Sequence, residues 1–578
     1  MRLGRIISRR KVFFLLFTGL LVLWLEKFVL NISKYHHNDE LKAGYDLKVL
    51  DTARQWMEQS NLKNIKHDDV MVVNYGTIKC FHLGTKYERC LKPKHFHNKP
   101  RIVTNSITVR KDLRGSYGYN LIGISEYFFF EVVRFDEFLL YGKPLDVLVF
   151  DATPNVNLGA HHIPSATFKE ISLGEILRDN FFDIISDVNI LFGEDAVDPR
   201  PNWHLVKSSP YLSYKHPSFM SYMKLGSQEP EYTKSKVLVK KEHEDDGFKI
   251  VQLADLHLGV GKNRCLDEYP HHDKCEADSK TLKFVEEVLD IEKPGFVVFS
   301  GDQIMGDRSL QDSESVLYKA VDPVIRRRIP WAMVWGNHDD EGSLSRWELS
   351  KLAMKLPYSR FQISPHDTKD NTFGVGNYAH QIFYENDPEV AALSLYFMDS
   401  HKYSKTGKIY PGYDWLKEEQ LEYIQSLYER GMKSHIKENI HRHAAMTFIH
   451  IPLPEYLNLD SKKRPGESNE LIGTFKEGVT APRYNSGGLV ALDKIGVDVV
   501  GCGHDHCNDY CLHDDSTSNK NIWLCYGGGA GEGGYAGYGG TERRIRTYKF
   551  DPQTGKITTS KRLNSKPSEI FDFQIVKD

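Results

Sequence analysis

Short apolar runs alternate with helical patterns along the second half of the chain, from Phe248 onward. The runs are rich in β-branched and aromatic residues, and strands buried on both faces of a sheet have this continuous apolar character. The alternation predicts an α/β domain in which helices flank sheet. We expect strands at 249–254, 296–300, 331–335, 393–398, 445–449, 497–502 and 522–526, with helices such as 279–291 and 415–430 between them.

The first half of the chain has a different pattern. Residues 102–168 contain β-branched and aromatic runs that are separated by turn residues, which predicts short strands. We therefore divide the chain into an N-terminal anchor or signal (1–31), a stalk (32–69), a β-containing accessory domain (70–205), a connector (206–246), the α/β domain (247–550) and a C-terminal tail (551–578).

The N-terminus combines basic residues with an apolar run. Five arginines or lysines lie between residues 2 and 11, and an apolar stretch follows at 12–25, extended by 28–30. This order is typical of a segment that enters the secretory pathway. No small residues mark a cleavage site near Leu25, so we favour an uncleaved membrane anchor over a cleaved signal peptide, and either over a buried helix. We expect a membrane-associated protein of the secretory pathway, with the face that carries the α/β domain left open.

Cysteines and glycosylation sites indicate different compartments. The chain has eight cysteines, and the short spacings between residues 80 and 90 and between residues 265 and 275 fit disulfides in an oxidising lumen. The chain has one N-glycosylation sequon, at Asn31, whereas a luminal chain of this length usually has more. The formal charge of −3 argues against a dedicated nucleic-acid-binding protein, so we expect no nucleic-acid partner.

Five clusters of metal-binding residue types each follow an apolar run directly. Because ligands gather at the carboxyl ends of strands in α/β sheets, the clusters should meet at one edge. Together they offer four imidazoles, two carboxylates and one carboxamide, which suits a pair of divalent or trivalent metal ions, and one further imidazole. The clusters are Asp255-Leu256-His257, Gly301-Asp302, Gly336-Asn337-His338-Asp339, His450 and Gly503-His504-Asp505-His506.

These motifs resemble those of the calcineurin-like metallophosphoesterase superfamily, over roughly residues 247–550, and within it the purple-acid-phosphatase-like branch. The resemblance implies a four-layer α-β-β-α sandwich and two metal ions, Mn, Zn or Fe. It further implies that a hydroxide bridging the two metals attacks the phosphate ester.

The resemblance also implies a role for each side chain. Seven side chains would bind metal. The first ion would be bound by Asp255, His257 and His506, and the second by Asn337, His450 and His504. Asp302 would bind both ions. His338 would stay off the metals and assist the leaving group.

Two positions depart from the pattern of purple acid phosphatases. Met305 replaces their metal-binding tyrosine, and His257 replaces a glycine, so we expect no purple colour. Related protein phosphatases have an aspartate at the Met305 position that supports the acid histidine. Here Asp339 and Asp307 are both candidates for that support.

Two further segments near the clusters allow more than one interpretation. The glycine-rich segment at 527–540 is either an anion-binding loop or a flexible surface loop. Arg543, Arg544 and Arg546 either bind a phosphate or form a solvated edge.

The resemblance implies a phosphomonoesterase, specifically a Ser/Thr protein phosphatase with a role in cell-cycle progression, whose substrate is a phosphoprotein. Two alternatives remain. One is a phosphodiesterase of the same superfamily, and the other is a scaffold that binds metal without catalysis.

Overall fold

The computed structural model describes most of the chain beyond residue 64. No helix among the described residues is long and apolar enough to cross a bilayer. The predicted anchor at 1–31 and most of the predicted stalk lie outside the described residues. These are 65–66, 68–83, 87–91, 94–95, 102–114, 122–150, 166–172, 175–176, 183–207, 212–213, 216–227, 235–240, 247–272, 274–364, 372–436, 439–459, 471–519, 521–537 and 540–578.

The strands with described bounds are β1 Val70–Leu83, β2 Tyr87–Cys90, β3 Lys94–His95, β4 Asn105–Val109, β5 Ile122–Arg134, β6 Leu145–Phe150, β7 Ala166–Ile171, β8 Ile185–Phe192, β9 Trp203–Leu205, β10 Leu212–Ser213, β11 Pro217–Lys224, β12 Val237–Val239, β13 Phe248–Leu253, β14 Phe296–Ser300, β15 Trp331–Val334, β16 Tyr378–Tyr384, β17 Asp387–Phe397, β18 Ala444–Phe448, β19 Val499–Cys502, β20 Cys511–Asp514, β21 Ile522–Tyr526, β22 Arg544–Phe550, β23 Ile557–Leu563 and β24 Lys566–Lys577.

The α-helices with described bounds are α1 Phe135–Tyr141, α2 Ala277–Glu292, α3 Ser313–Arg326, α4 Arg346–Lys355, α5 Glu418–Leu427, α6 Lys433–Ile436 and α7 Gly488–Lys494. Local sequence explains where two of them begin. Asp312 caps α3 by accepting the Ser315 amide, and Ser345 with Glu348 forms a reciprocal capping box on α4. The predicted helix at 415–430 is shorter than expected, because α5 passes into the π-helical turn Tyr428–Met432.

Two mixed sheets form the centre of the second half of the chain. One has the strand order β12-β16-β17-β18-β19-β21-β20, and the other has β15-β14-β13-β22-β23-β24. Strands β13, β14 and β15 are parallel to one another, as are β17, β18, β19 and β21. All the strands predicted in this half are present; six of them match the predicted ends within two residues, and β17 begins six residues before the predicted start at 393.

The sheets pack face to face, with helices on the outside. Between them, the ring of Phe448 on β18 meets that of Tyr548 on β22 edge-on at 6.2 Å. On one outer face, α2 contacts β13 and β24. On the other, apolar residues of α5 and α7 form a core with Tyr396, Ala445 and Val500. The predicted four-layer α-β-β-α arrangement is therefore confirmed, and a β-rich region precedes it.

The described residues of that β-rich region form two sheets and a hairpin. Strands β1–β5 form one sheet, β8–β11 form another, and β6 pairs with β7. The hydrophobic residues of β8, including Val188 and Ile190, belong to the same continuous core as the α/β half. The accessory region is therefore packed onto the α/β half through a shared core.

Two segments differ from the predicted boundaries. The predicted connector (206–246) contains β11, which pairs with β8, and β12, which pairs in parallel with β16. The predicted tail (551–578) contains β23 and β24, which extend the six-stranded sheet. Neither segment is a simple linker, because each contributes backbone hydrogen bonds to a sheet.

Candidate metal centre

All eight predicted site residues lie at the carboxyl ends of the parallel strands of the two sheets. Asp255 and His257 follow β13, and Asp302 follows β14. The remaining residues follow β15, β18 and β19: Asn337 and His338, His450, and His504 and His506. Because the two sheets pack with these ends at the same edge, residues up to 251 positions apart in the sequence converge on one site.

The loops that carry these side chains have unusual backbone conformations. Asp255, His257, Asp302 and His504 have φ angles of 55°, 47°, 53° and 78°. Non-glycine residues seldom adopt this left-handed region, which is concentrated at functional sites where surrounding structure enforces it. The strained turns aim successive side chains at a common point.

Glycines allow the loops to approach each other closely. A Cβ atom on Gly301 would lie 2.2 Å from Nδ1 of His450, and one on Gly336 would lie 2.1 Å from Oδ1 of Asp302. Both distances are shorter than any contact that real side chains make. The two glycines are therefore required by the packing of the site itself.

The first donor group contains Asp255, His257 and His506, all buried. Nε2 of His257 lies 2.9 Å from Nε2 of His506, and Oδ1 of Asp255 lies 3.4 Å from the latter atom. Two imidazole nitrogens and a carboxylate oxygen thus face one another at the separations that ligands of one ion have.

The second donor group contains Asp302, His450 and His504, also buried. Nε2 of His450 lies 3.3 Å from Nδ1 of His504, 3.3 Å from Oδ2 of Asp302 and 3.2 Å from Oδ1 of Asn337. The same Oδ2 atom of Asp302 lies 3.7 Å from Nε2 of His257, in the first group. Asp302 therefore links the two groups.

Hydrogen bonds on the far side of two rings fix which nitrogen faces the centre. Nδ1 of His506 lies 2.8 Å from the carbonyl oxygen of Tyr535, and Nδ1 of His450 lies 3.0 Å from that of Ser300. With Nδ1 engaged in this way, Nε2 is left as the inward-facing atom, as in metal-binding histidines.

The electrostatics of the cluster favour cations. Burial and the adjacent His506 ring lower the pKa of His257 well below its usual value, and burial with His450 does the same for His504. Burial would raise the pKa of Asp302, but the His450 and His257 rings hold it well below its usual range. For His450 the adjacent Asp302 outweighs burial and raises the pKa to about 9, so a metal ion would displace a proton from this ring. Neutral His257 and His504 beside a charged carboxylate are already in the protonation states that bind metal ions. The donor set therefore fits the two metal ions that the family implies.

His338 has a partner that sequence analysis did not identify. Its Nδ1 atom lies 2.7 Å from Oε2 of Glu341, and both side chains are about one-third exposed, at 34% each. Burial lowers the pKa of His338, but Asp302 and Glu341 more than offset this and raise it. Glu341 thus takes the supporting position for which Asp339 and Asp307 were the candidates.

Asp339 has a different role from the one considered for it. Its carboxylate accepts hydrogen bonds from the amides of Asp302, Ile304 and Gly336, at 3.0, 2.9 and 2.7 Å. It therefore ties the loop after β14 to the loop after β15. Burial and the nearby Asp302 raise the pKa of Asp339 to about 7. Asp307 is exposed in a turn next to Met305, whose sulfur lies 3.2 Å from Nδ1 of His257.

The glycine-rich segment is neither a flexible surface loop nor an open anion cradle. A Cβ atom on Gly531 would lie 1.9 Å from the carbonyl oxygen of Leu256, and one on Gly534 would lie 2.6 Å from both the His257 and His506 rings. The segment packs directly behind the first donor group. Only a run of glycines lets the backbone come this close.

The three arginines after this segment are structural. Arg543 donates to the carbonyl oxygens of Gly534 and Tyr535, and it pairs with buried Glu532. Arg544 pairs with Asp509, and Arg546 is fully buried. Neither of the predicted alternatives, phosphate binding or a solvated edge, is right, because their charges are satisfied inside the protein.

Comparison with known proteins agrees with this geometry. Residues 248–508 match the calcineurin-like phosphoesterase family. The chain is 51% identical to Phosphatase DCR2 of Saccharomyces cerevisiae over 93% of each chain. It is 34% identical to the uncharacterized protein C1020.05 of Schizosaccharomyces pombe, over 67% of this chain and 71% of that protein.

A plant relative completes the comparison. The chain is 35% identical to the probable inactive purple acid phosphatase 29 of Arabidopsis thaliana, over 57% of this chain and 85% of the plant protein. The family match and the 51% identity to the yeast relative show that the chain belongs to the calcineurin-like phosphoesterase family and is an enzyme that hydrolyses phosphoric esters.

Proposed function

We propose that the chain is a phosphomonoesterase that depends on two metal ions. Asp255, His257 and His506 would hold one ion; Asn337, His450 and His504 would hold the other; and Asp302 would be shared. The observation that carries this proposal is the position of Asp302, whose Oδ2 atom lies within 3.3 Å of His450 and 3.7 Å of His257. Ions bound there would activate water at neutral pH and offset the charge of the phosphoryl oxygens.

His338 would supply the proton that the leaving group needs. Its ring centre lies 5.6 Å from that of His257, while the side chain is still 34% exposed, so it borders both the donor groups and solvent. Because Glu341 engages Nδ1, Nε2 remains to donate a proton to the departing oxygen. A scaffold without catalysis would have no use for this pair, which supports the enzyme over that alternative.

The substrate class rests on similarity. We propose phosphoserine or phosphothreonine in a protein, because the yeast relative is named a phosphatase and protein phosphatases occur in the same superfamily. A phosphodiesterase is the second candidate, since the same pair of donor groups could serve that reaction.

The test compares p-nitrophenyl phosphate with bis-p-nitrophenyl phosphate, using purified wild type with quantified metal. We expect monoester turnover to dominate. His338→Ala should keep two metals per chain and lose about 10²–10⁴-fold in turnover, the usual worth of general acid catalysis. His441→Ala, an exposed histidine before β18, is the control. Diester preference would favour the phosphodiesterase, and a fully active His338→Ala would exclude the assigned role.

We also propose that the protein works in an oxidising compartment, at a membrane that it reaches through its N-terminal segment. Disulfides join Cys80 to Cys90, Cys265 to Cys275, and Cys511 to Cys525, and such bonds persist outside the reducing cytosol. Protease treatment of sealed microsomes tests this. Loss of the enzyme domain without detergent would place it on the cytosolic face and contradict the proposal.

A role in cell-cycle progression completes the proposal, and it rests on the resemblance alone. Cells whose only copy is the His338→Ala variant should show altered timing of division. Unchanged timing would remove this part of the proposal and leave the enzymology intact.

A further inference from the structure

A hairpin beside the metal centre has no part in the site described above. We call residues 402–414 the lysine hairpin. Tyr403 and Tyr413 form an antiparallel bridge at its base, and the Ser404 amide donates to the Gly412 carbonyl oxygen at 2.9 Å. Its tip is a compact turn, in which the amides of Ile409 and Tyr410 donate to the Thr406 carbonyl oxygen at 2.8 and 3.0 Å. The hairpin is therefore an ordered projection.

The base of the lysine hairpin contacts the loops that carry the donor groups. The Tyr413 ring meets the His504 ring edge-on, with centres 4.3 Å apart, and Tyr403 stacks on Tyr413 at 5.1 Å. Nζ of Lys402 lies 3.1 Å from Oδ1 of Asp340, which lies in the loop after β15. Whatever binds along this hairpin therefore lies next to the two donor groups.

The charge of the lysine hairpin differs from that of the whole chain. The chain has a formal charge of −3, but the lysine hairpin contains three lysines and one acidic residue, Asp414, which lies at its base and pairs with Lys417. Lys405 and Lys408 are exposed at the tip. Beside them, Ile409 is 72% exposed and Tyr403 is 54% exposed. The projection thus offers positive charge together with apolar and aromatic surface.

We propose that the lysine hairpin recognises phosphorylated polypeptides that have acidic residues near the phosphorylated residue. This inference rests on the proposed phosphomonoesterase function and names its substrate class. Lys405 and Lys408 lie five to eight positions from Tyr413, so a ligand at the metal centre must extend to reach them. An extended peptide gains about 3.3 Å per residue, so the residues that flank the phosphorylated one can extend along the hairpin, whereas a small ester cannot.

The mixed surface favours a polypeptide over a purely anionic chain. Carboxylates of the substrate would pair with the lysines, and such pairing at a rim mainly affects recognition and the rate of encounter. Ile409 and Tyr403 would contact the side chains of neighbouring substrate residues.

The test measures kcat/KM of the full chain on three phosphoserine peptides of equal length, with acidic, neutral or basic flanks, and on p-nitrophenyl phosphate. Wild type should prefer the acidic peptide over the neutral one about fivefold to tenfold, because exposed ion pairs are individually weak. The preference should shrink as salt rises from about 0.05 to 0.5 M, where charges are screened. Lys405→Glu combined with Lys408→Glu should reverse the preference towards the basic peptide.

The matched control makes the same charge change elsewhere. Lys351→Glu combined with Lys355→Glu alters two exposed lysines of α4 and should leave the acidic preference as it is in wild type. If this control loses the preference as the hairpin variant does, net charge rather than the hairpin is responsible, and the inference is wrong.

The remaining outcomes separate the two levels of the proposal. If wild type turns over neither p-nitrophenyl phosphate nor any of the three peptides, the phosphomonoesterase itself fails and the inference fails with it. If that ester is hydrolysed but the three peptides are equal, only the hairpin inference falls. Equal losses on all substrates in the hairpin variant would indicate damage through Tyr413 and would also overturn it. A 5′-phosphorylated oligonucleotide preferred over the acidic peptide would exclude the polypeptide class.

Discussion

One contact controls the state of the His338 ring. Glu341 holds Nδ1 at 2.7 Å, and Gly306 makes room for it, since a Cβ atom there would lie 2.3 Å from that of Glu341. A carboxylate in this position fixes the tautomer and orientation of an imidazole and stabilises its charged form. Glu341 is therefore a positioning residue for the proposed proton donor.

Glu341→Gln should slow turnover more for poor leaving groups than for good ones. An alkyl phosphate needs a proton on its departing oxygen, and p-nitrophenolate hardly does, so we expect a loss of about tenfold on the former and little on the latter. Metal content should be unchanged. Glu341→Asp should recover part of the rate. Glu287→Gln, which changes a partly exposed side chain on α2, is the control, and an equal loss on both esters would contradict the positioning role.

Sequence analysis identified the chemistry of this site but not the contact. Asp307, Asp339 and Glu341 are all acidic residues close in sequence to a donor loop, and nothing in their order reveals which faces the ring. Asp339 points inward because three buried backbone amides donate hydrogen bonds to its carboxylate. Which acid supports a histidine depends on the path of the loop, and that path is set by contacts between strands distant in sequence.

At the scale of elements, the glycine-rich segment acts as a support for the first donor group. Gly531, Gly533 and Gly534 pack against the backbone or rings of Leu256, His257 and His506. The sequence shows the glycines, but their role depends on β13 and β19 facing each other from two different sheets, where Gln252 donates to the Cys502 carbonyl oxygen.

Gly534→Ala should weaken metal binding without unfolding the protein. The added Cβ atom would lie 2.6 Å from both the His257 and His506 rings, so the rings must move apart. We expect about 10–100-fold weaker binding of one ion, the usual effect of disturbing the surroundings of metal ligands. Titration with metal after chelation measures it. Gly431→Ala, with open space around it, is the control, and unchanged affinity in Gly534→Ala would refute the supporting role.

Strands were predictable where they are apolar and were missed where they carry charge. β14 and β21 match their predicted limits because nearly all of their residues are apolar, which is typical of a buried strand. β23 contains Lys561 and Arg562, buried charges that pair with Asp509 and Glu292. Those partners lie far away in sequence, so the segment looks like a solvated tail. In β24 most side chains are exposed, with Gln574 and Val576 buried.

Ending the chain after Asn564 therefore tests whether β24 is part of the fold. Removal of β24 would expose the apolar surface that Val576 covers and the edge of β23. Burying a valine side chain alone contributes about 1.5–3 kcal/mol. We expect the free energy of unfolding to fall by more than about 2 kcal/mol in urea titrations. Removing Asp578 alone, which is 88% exposed, should have little effect. A truncated chain as stable as wild type would show that residues 565–578 are a tail after all.

At the scale of the whole molecule, buried polar contacts join the accessory sheets to the enzyme domain. Nζ of Lys111 lies 2.9 Å from Asp312 and 3.0 Å from Glu314, at the start of α3. Asn189 on β8 donates to Glu314 at 2.9 Å, and the Phe192 amide donates to Ser315 at the same distance. Since these charges are shielded from water, the accessory region and the enzyme domain should unfold together.

Lys111→Ala should destabilise the protein by about 3–5 kcal/mol, because it leaves two buried carboxylates without their cation. Burial already raises the pKa of Asp312, and losing Lys111 removes the main opposing effect, so its folded pKa rises further above the unfolded value. A carboxyl group whose pKa is higher in the folded state than in the unfolded state favours folding at low pH, and this contribution is lost as the pH rises. The loss of stability in Lys111→Ala should therefore be largest near pH 7–8 and shrink towards about pH 4.

The control is Lys224→Ala, which breaks a pair with the exposed Asp183 and should lower the free energy of unfolding by less than about 1 kcal/mol at any pH. Urea unfolding across this pH range measures both, and an equally small effect for Lys111→Ala would mean that the two regions are joined by apolar packing alone.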